Sequence, residues 1–214
     1  MFIEGIIGGS WIDDFTSNRL SEKWVPTRVS LGGQKDGQWI REIKDSKIYW
    51  RPTNAGTETS RWGESLYLPI NAVGDFSAEV QWRWKKTGIY AAGAYLIGLQ
   101  VQGVSLNTYI SAHSAGFSGD LLILGCGTGL PGFPSMIYLY TGMPYDVTAV
   151  LKLVRKNGYL FSYFNNTYTG FRSFPEQLIN VILSFTVASG IDYNLSVQEY
   201  QVDWVKVWPR EVVL

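Results

Sequence analysis

Hydrophobic and polar residues alternate along much of this chain, and a period of two residues is typical of half-buried β-strands. Between Phe76 and Trp84, apolar residues occupy every second position, and Ser, Glu, Gln and Arg occupy the positions between them. The same alternation runs from Val147 to Leu153. Each segment predicts a strand with one face in a core and the other face toward solvent.

Turn residues come directly after the second of these strands. Asn157-Gly158 predicts a tight hairpin, because both residues accept the positive φ angles of such a turn. The segment from Tyr159 to Phe164 is then the return strand. Asn165-Asn166 predicts another turn before a third strand from Thr167 to Phe174. Together these segments predict an aromatic antiparallel meander.

Apolar segments elsewhere predict further strands at 11–15, 38–43, 47–51, 58–68, 94–102, 106–112, 121–124, 136–140, 178–188 and 196–208. The Gly- and Pro-rich segment Gly125–Pro134 predicts an irregular loop. No segment shows the period of an amphipathic helix over three turns. Frequent turn signals between short strands are typical of an all-β, two-sheet antiparallel sandwich, and we expect residues 1–214 to form one such domain.

Composition limits the class of partner. The chain has 46% hydrophobic residues and 15% aromatic residues, enough for a core dominated by large side chains. Its 18 basic and 18 acidic residues balance, so we expect no nucleic-acid partner. A single cysteine excludes an internal disulfide. No apolar run approaches the roughly 20 residues of a membrane helix, so we expect no membrane insertion.

The first residues lack the basic start and long apolar run of a secretory signal. We therefore expect a soluble protein that is made in the cytosol and acts on a virion, or outside the cell after release.

Four motifs resemble, in their order, those of the concanavalin A-like lectin/glucanase superfamily. They are Asp14-Phe15 with Leu20 and Trp24, the segment Gly74–Val80, the Asn157-Gly158 hairpin, and the closing segment Val202–Trp208. The resemblance implies a jelly roll of two curved antiparallel sheets, with neighbouring first and last strands and a groove on the concave sheet. Members include sugar-binding modules, glycoside hydrolases, polysaccharide lyases and structural domains, so the fold does not assign an activity.

Hydrolases of this superfamily carry their catalytic carboxylates on one strand as Glu-x-Asp-x-Glu. This chain has no acidic pair two residues apart, and Asp75/Glu79 and Glu199/Asp203 are separated by four. His113 is the only histidine, which excludes multi-histidine metal sites. We therefore expect that the protein is not an enzyme. Carboxylates that meet across strands would be the alternative.

Aromatic and arginine residues are the candidate ligand-binding residues, because rings stack on the apolar faces of sugars and guanidinium groups bind hydroxyls. They are Trp39, Trp50, Trp62, Trp84, Tyr109, Arg61 and Arg83. Packing in the core is the alternative role for the tryptophans.

Asp203 matches, by the resemblance, a last-strand aspartate that helps to bind a structural calcium in many relatives. Calcium takes six to eight oxygen ligands, and one carboxylate is a small part of that set. We expect no required cofactor, with calcium at Asp203 as an alternative to a hydrogen-bonded strand aspartate.

We predict a non-catalytic carbohydrate-binding or adhesion module whose partner is a glycan or polysaccharide. One alternative is a structural subunit of a phage or virus particle, a capsid decoration or tail component, which contacts other protein subunits. The second alternative is a divergent glycoside hydrolase or polysaccharide lyase. Exposed rings along a groove would favour the first function, an apolar patch at an edge strand the second, and clustered acids in the groove the third.

Overall fold

The structure is a computed structural model that describes residues 11–31, 38–54, 61–71, 74–86, 94–102, 107–114, 121–128, 136–141, 146–175, 178–188 and 198–209. These residues form strands and the turns between them, and none of them is helical. The described segments accordingly include no helix with the length and hydropathy needed to cross a membrane.

The strands of the described residues, in chain order, are β1 (Trp11–Asp13), β2 (Val25–Leu31), β3 (Gln38–Lys44), β4 (Lys47–Asn54), β5 (Arg61–Asn71), β6 (Phe76–Lys86), β7 (Ala94–Gln102), β8 (Asn107–Ser114), β9 (Leu121–Thr128), β10 (Met136–Thr141), β11 (Asp146–Lys156), β12 (Tyr159–Phe164), β13 (Thr167–Ser173), β14 (Leu178–Ala188) and β15 (Gln198–Pro209).

These strands form two antiparallel sheets, which confirms the predicted sandwich. The eight-stranded sheet has the order β13-β12-β11-β6-β15-β4-β3, with β1 paired to β15, and the seven-stranded sheet has the order β10-β9-β8-β7-β14-β5-β2. The first strand lies beside the last, since Trp11 pairs with Val207 and Asp13 pairs with Val205. The prediction that the ends of the chain are neighbours is therefore confirmed for these two strands.

The core lies between the sheets and is built from alternate residues of their strands. From the eight-stranded sheet, Phe76, Val80 and Leu151 are buried, and from the seven-stranded sheet Leu66 and Leu183 pack in the same cluster. Each such side chain contributes about 1.5–3 kcal/mol when it is fully removed from water. The alternation seen in the sequence therefore identifies the inner face of β6 and β11 correctly.

The predicted hairpin turns are present. Asn157 and Gly158 have φ angles of 52° and 77°, and Asn165 and Asn166 have φ angles of 46° and 65°. Positive φ at both central residues is the type I′ geometry, whose twist matches that of the flanking strands. The two turns fix the register of β11, β12 and β13.

Two segments differ from the sequence prediction. Val25–Leu31 was not predicted as a strand, yet it pairs with β5 along its whole length. Strand β9 continues to Thr128, four residues into the segment predicted as an irregular loop. Gly125 pairs with Ser111 on one side and with Met136 on the other. Two ladders of backbone hydrogen bonds thus hold glycines that have little intrinsic preference for a strand.

Candidate functional site

The predicted ligand-binding residues do not share one surface. Trp39, Trp50, Arg83 and Trp84 belong to strands of the eight-stranded sheet, whereas Arg61, Trp62 and Tyr109 belong to strands of the seven-stranded sheet. The side chains of Arg61, Trp62, Trp84 and Tyr109 lie outside the described part of the structure, which gives their strand positions alone. These residues are therefore divided between the two sheets and do not form a single row.

Trp50 is a core residue, so its prediction as an exposed ligand-binding ring is wrong. Its exposed fraction is 0%, and its indole Nε1 donates a hydrogen bond of 2.8 Å to Oε2 of Glu64. The physical reason is the pleat of β4, which turns Ile48 and Trp50 inward and Tyr49 outward.

Trp39 and Arg83 are half-buried, and Trp39 packs against the core. Trp84 holds the register position opposite Tyr200, which is buried. Packing against the core is therefore shown for Trp39, whereas Trp84 is given by its strand position alone.

Asp203 forms an ion pair with Lys47 of β4, with 3.2 Å between Oδ1 and Nζ. It is the extra residue of a register shift in β15, between Val202 and Trp204. The described residues contain no group of three acidic, His or Cys side chains that could hold a metal ion. A carboxylate beside an ammonium group is not the oxygen-rich set that calcium takes. Calcium at Asp203 stays a prediction without support from these contacts.

The seven-stranded sheet has one apolar face and one face that holds most of its polar residues. Leu66, Leu99, Val101 and Leu183 are buried in the core. The residues between them in the ladders define what we call the polar face. Its register positions hold Ser65, Tyr67, Gln100, Tyr109, Ser111, His113 and Ser184, together with the apolar residues Leu96, Ile123 and Ile182, and Ser65 and Ile182 are buried. Hydroxyl, amide and imidazole groups supply the donors and acceptors that bind sugar hydroxyls.

Sequence reasoning selected Tyr109 but missed its neighbours on β8. Tyr109, Ser111 and His113 alternate with Ile110 and Ala112, which is the signal of a strand with one polar face. The register adds what the sequence does not show: Gln100 of β7 lies opposite Tyr109, and Leu96 lies opposite His113. The polar groups therefore extend along β8, and they continue onto β7 at Gln100 but not at Leu96.

Among the described residues, the seven-stranded sheet contains one carboxylate, that of Glu64 in β5. It is 8% exposed and accepts hydrogen bonds from Trp50 and from Nη1 of Arg41, the latter at 2.5 Å. Both partners belong to the opposite sheet, so this carboxylate lies between the sheets and not on the polar face.

More acids occur in the sequence segments between the strands of this sheet than in the strands themselves. Arg61 pairs with Leu31 and Ala188, Ala188 pairs with Ala94, and Tyr95 pairs with Ser114. These residues mark one end of the sheet, which we call the Arg61 end. In the sequence, four acids follow or precede strands that end here, and all four lie outside the described residues: Asp36 after β2, Glu58 before β5, Asp120 before β9 and Asp192 after β14. His113 is one residue from the same end of β8.

No protein-family model matches the chain. No curated protein matches it either. Solved structures do match. A glycosyl hydrolase family protein from Mycobacterium fortuitum superimposes with a TM-score of 0.63 and 12% identity, covering 92% of this chain and 98% of the other. The catalytic domain of an endo-1,3-β-glucanase (laminarinase) from Thermotoga petrophila superimposes with a TM-score of 0.62 and 12% identity, covering 94% of this chain and 97% of the other. The carbohydrate recognition domain of Emp47p superimposes with a TM-score of 0.56 and 11% identity, covering 94% of each chain.

At this identity the comparisons establish the fold, which is the concanavalin A-like jelly roll that the sequence motifs resemble. Most of the similar structures are glycan-cleaving enzymes, and a carbohydrate recognition domain is the minority case. The prediction of a non-catalytic binding module is wrong on this finding, which favours the hydrolase alternative. The phage or virus subunit receives no support from these structures.

Proposed function

We propose that the protein is a divergent glycoside hydrolase whose polysaccharide substrate lies across the polar face, with the scissile bond at the Arg61 end. The observation that supports this proposal is the topology of the described strand ends: the ends of β2, β5, β9 and β14 lie at one end of the sheet, and each adjoins in the sequence a segment that contains an acid. The predominance of glycan-cleaving enzymes among similar folds supports it.

Glycoside hydrolysis needs two carboxyl groups on opposite sides of the scissile bond. One donates a proton to the leaving oxygen. The other attacks the anomeric carbon or removes a proton from water, whose hydroxyl ends on that carbon. We assign these roles to two of Asp36, Glu58, Asp120 and Asp192. Glu64 is excluded from the pair because its carboxylate is held by Arg41 and Trp50 between the sheets.

The polar face would bind the sugar units on either side of that bond. Gln100, Tyr109 and Ser111 occupy adjoining register positions on two neighbouring strands. Their amide and hydroxyl groups suit a chain of sugar hydroxyls, and glycines hold positions 98, 125 and 127 in the same rows.

The test is release of new reducing ends from laminarin, agar, alginate and peptidoglycan by the full chain. We expect steady release from at least one of them. Among Asp36→Asn, Glu58→Gln, Asp120→Asn and Asp192→Asn, we expect two to lower the rate by about 100-fold or more, the usual effect of removing an acid–base group.

Glu176→Gln is the matched control. Glu176 precedes β14 in the sequence, and the start of β14, Leu178, pairs with Asn71 at the end of the sheet opposite Arg61, so its substitution should leave the rate unchanged. No release from any of the four polysaccharides would contradict the proposal. Full activity in all four Arg61-end variants would contradict the assignment of the carboxyl groups.

A further inference from the structure

Five aromatic side chains lie together on the outer face of the eight-stranded sheet, at its β13 edge. They are Tyr159, Phe161 and Tyr163 of β12 and Tyr168 and Phe171 of β13, and we call this group the aromatic surface. Tyr159, Tyr168 and Phe171 are exposed by 45%, 51% and 59%. Exposed apolar side chains in one contiguous group mark a binding surface more often than single ones do.

The rings contact one another in two groups, one around Phe171 and one formed by Tyr163 and Tyr168. Phe161 stacks on Phe171 with 5.9 Å between ring centroids and 23° between planes. Tyr159 meets the same Phe171 at 5.9 Å, and Tyr163 meets Tyr168 at 5.8 Å with its edge. Such contacts hold the rings in place before any ligand binds, which lowers the entropy lost on binding.

A β-bulge produces this arrangement. Strict alternation would put Tyr168 and Phe171, three residues apart, on opposite faces of β13. The register instead shifts by one residue, so that Tyr163 pairs with Tyr168 and Ser162 pairs with Gly170. The extra residue, Thr169, turns inward, and its hydroxyl donates a hydrogen bond of 2.8 Å to Oγ of buried Ser162. Bulges that redirect side chains in this way are typical of sheet edges and functional sites.

The same bulge argues against a protein strand as the occupant. A regular edge ladder is the template on which another β-strand adds, and a bulge is one of the devices that interrupt it. The exposed members of the surface are two tyrosines and one phenylalanine, with no aliphatic side chain among them. The surface therefore offers ring faces and phenol hydroxyls rather than an apolar groove.

Two lysines lie in register with rings of this surface, Lys152 and Lys156, and the charge of Lys152 is compensated. Nζ of Lys152, in register with Tyr163, lies 2.9 Å from Oε1 of Glu79. Burial raises the pKa of Tyr163, so its hydroxyl remains a donor at neutral pH. Exposed Asn165, Asn166 and Thr167 at the adjoining turn add further amide and hydroxyl groups. Rings bordered by neutral polar groups suit a ligand with apolar C–H faces and many hydroxyls.

We propose that the aromatic surface is a second polysaccharide-binding site, on the opposite side of the sandwich from the polar face. It rests on the proposed function for its ligand class, a neutral glycan. Its role would be to hold the protein on an extended or insoluble polysaccharide while cleavage takes place on the other sheet.

Retention on gels that contain laminarin, agarose or soluble starch tests the site. We expect the wild-type chain to be retarded by at least one gel, and the double variant Tyr168→Ala/Phe171→Ala to lose about tenfold or more in affinity, the effect of truncating exposed aromatic anchors. Because stacking on a neutral glycan is not ionic, retention should persist in about 0.5 M salt. Ile40 is an exposed apolar residue on β3, at the opposite edge of the same sheet, and the Ile40→Ala variant should bind like the wild type.

Thermal unfolding of each variant and sedimentation of the wild type complete the test. Wild-type affinity in the double variant, or no retention of the wild type on any gel, overturns the proposal. A self-associating wild type that becomes monomeric in the double variant also overturns it, because the surface then binds a second copy. A protein that is retained through these rings but releases no reducing ends keeps this site and loses the proposed function. A protein that releases reducing ends but whose retention does not depend on these rings keeps the proposed function and loses this site.

Discussion

Arg155→Met is expected to lower the free energy of unfolding by about 3–4 kcal/mol, as removal of a buried charged donor leaves its acceptors unpaired. Arg155 is 5% exposed and ends the inner row of β11. Its Nε donates to the carbonyl of Phe174 at 3.1 Å, its Nη2 to that of Pro175 at 3.2 Å, and its Nη1 to that of Gly74. One guanidinium thus ties the end of the meander to the turn before β6.

Methionine retains the length and packing of the side chain but donates nothing to the three carbonyls. Arg155→Lys should recover less than half of the loss, because one ammonium group cannot reproduce the planar fork of donors. Lys156→Met is the matched control, since the neighbouring Lys156 is half-buried on the other face of β11, and its effect should stay within about 0.5 kcal/mol.

Urea unfolding followed by tryptophan fluorescence measures these changes, with the m-value as a check on two-state behaviour. A loss below about 1 kcal/mol in Arg155→Met would mean that water satisfies the three carbonyls. The three hydrogen bonds of Arg155 would then contribute little to the free energy of unfolding.

Local pattern was sufficient for the elements whose periods are regular. The alternation in β6 and β11 identified their buried faces, and Asn157-Gly158 identified the hairpin that sets the register of the meander. Each of these signals lies within a few residues of the feature it predicts, so no knowledge of the partner strand was needed. The pairing of β1 with β15 was instead predicted from the resemblance of the closing segment Val202–Trp208 to the superfamily motif.

The candidate site required information from distant residues. Trp39 and Trp50 both follow polar neighbours in the sequence, and only the position of Glu64 across the core shows that Trp50 is buried beside a carboxylate. The aromatic surface depends on a bulge at Thr169, which strict alternation does not predict. The proposal for Asp36, Glu58, Asp120 and Asp192 depends on several strand pairings, which place the described ends of the adjoining strands at one end of a sheet.

Arg155 shows the same limit for stability. The sequence places it at the end of a predicted strand, where a charged residue is ordinarily solvated. Its acceptors are 19 to 81 residues away along the chain. A buried charge is recognised only when the partners that satisfy it are known.

Glu64→Leu is expected to cost about 3 kcal/mol or more in unfolding free energy. Leucine of similar size fills the space, but the substitution leaves Nε1 of Trp50 without its acceptor and removes the carboxylate that pairs with Arg41. A buried donor without a partner costs about 1–3 kcal/mol, and breaking a largely buried ion pair by removing one member costs more than the pair itself contributes.

Substitutions of the partners separate these two contributions. Glu64→Gln retains an oxygen that can accept from Trp50 but loses the charge, so its loss should be smaller than that of Glu64→Leu. Trp50→Phe removes the donor, and the loss in a Glu64→Gln/Trp50→Phe double variant should be smaller than the sum of the two single losses. Glu42→Gln is the control, because Glu42 is exposed and pairs with Lys44 at the surface, and no measurable change is expected.

The same variants distinguish a structural from a catalytic carboxylate. Because Glu64 lies between the sheets, Glu64→Gln should lower stability while leaving the rate of reducing-end release within about threefold of the wild type at a temperature where both are folded. A Glu64→Gln protein that unfolds at the wild-type urea midpoint, yet releases reducing ends about 100-fold more slowly, would contradict this assignment. It would also move the catalytic pair from the Arg61 end to the space between β5 and β4.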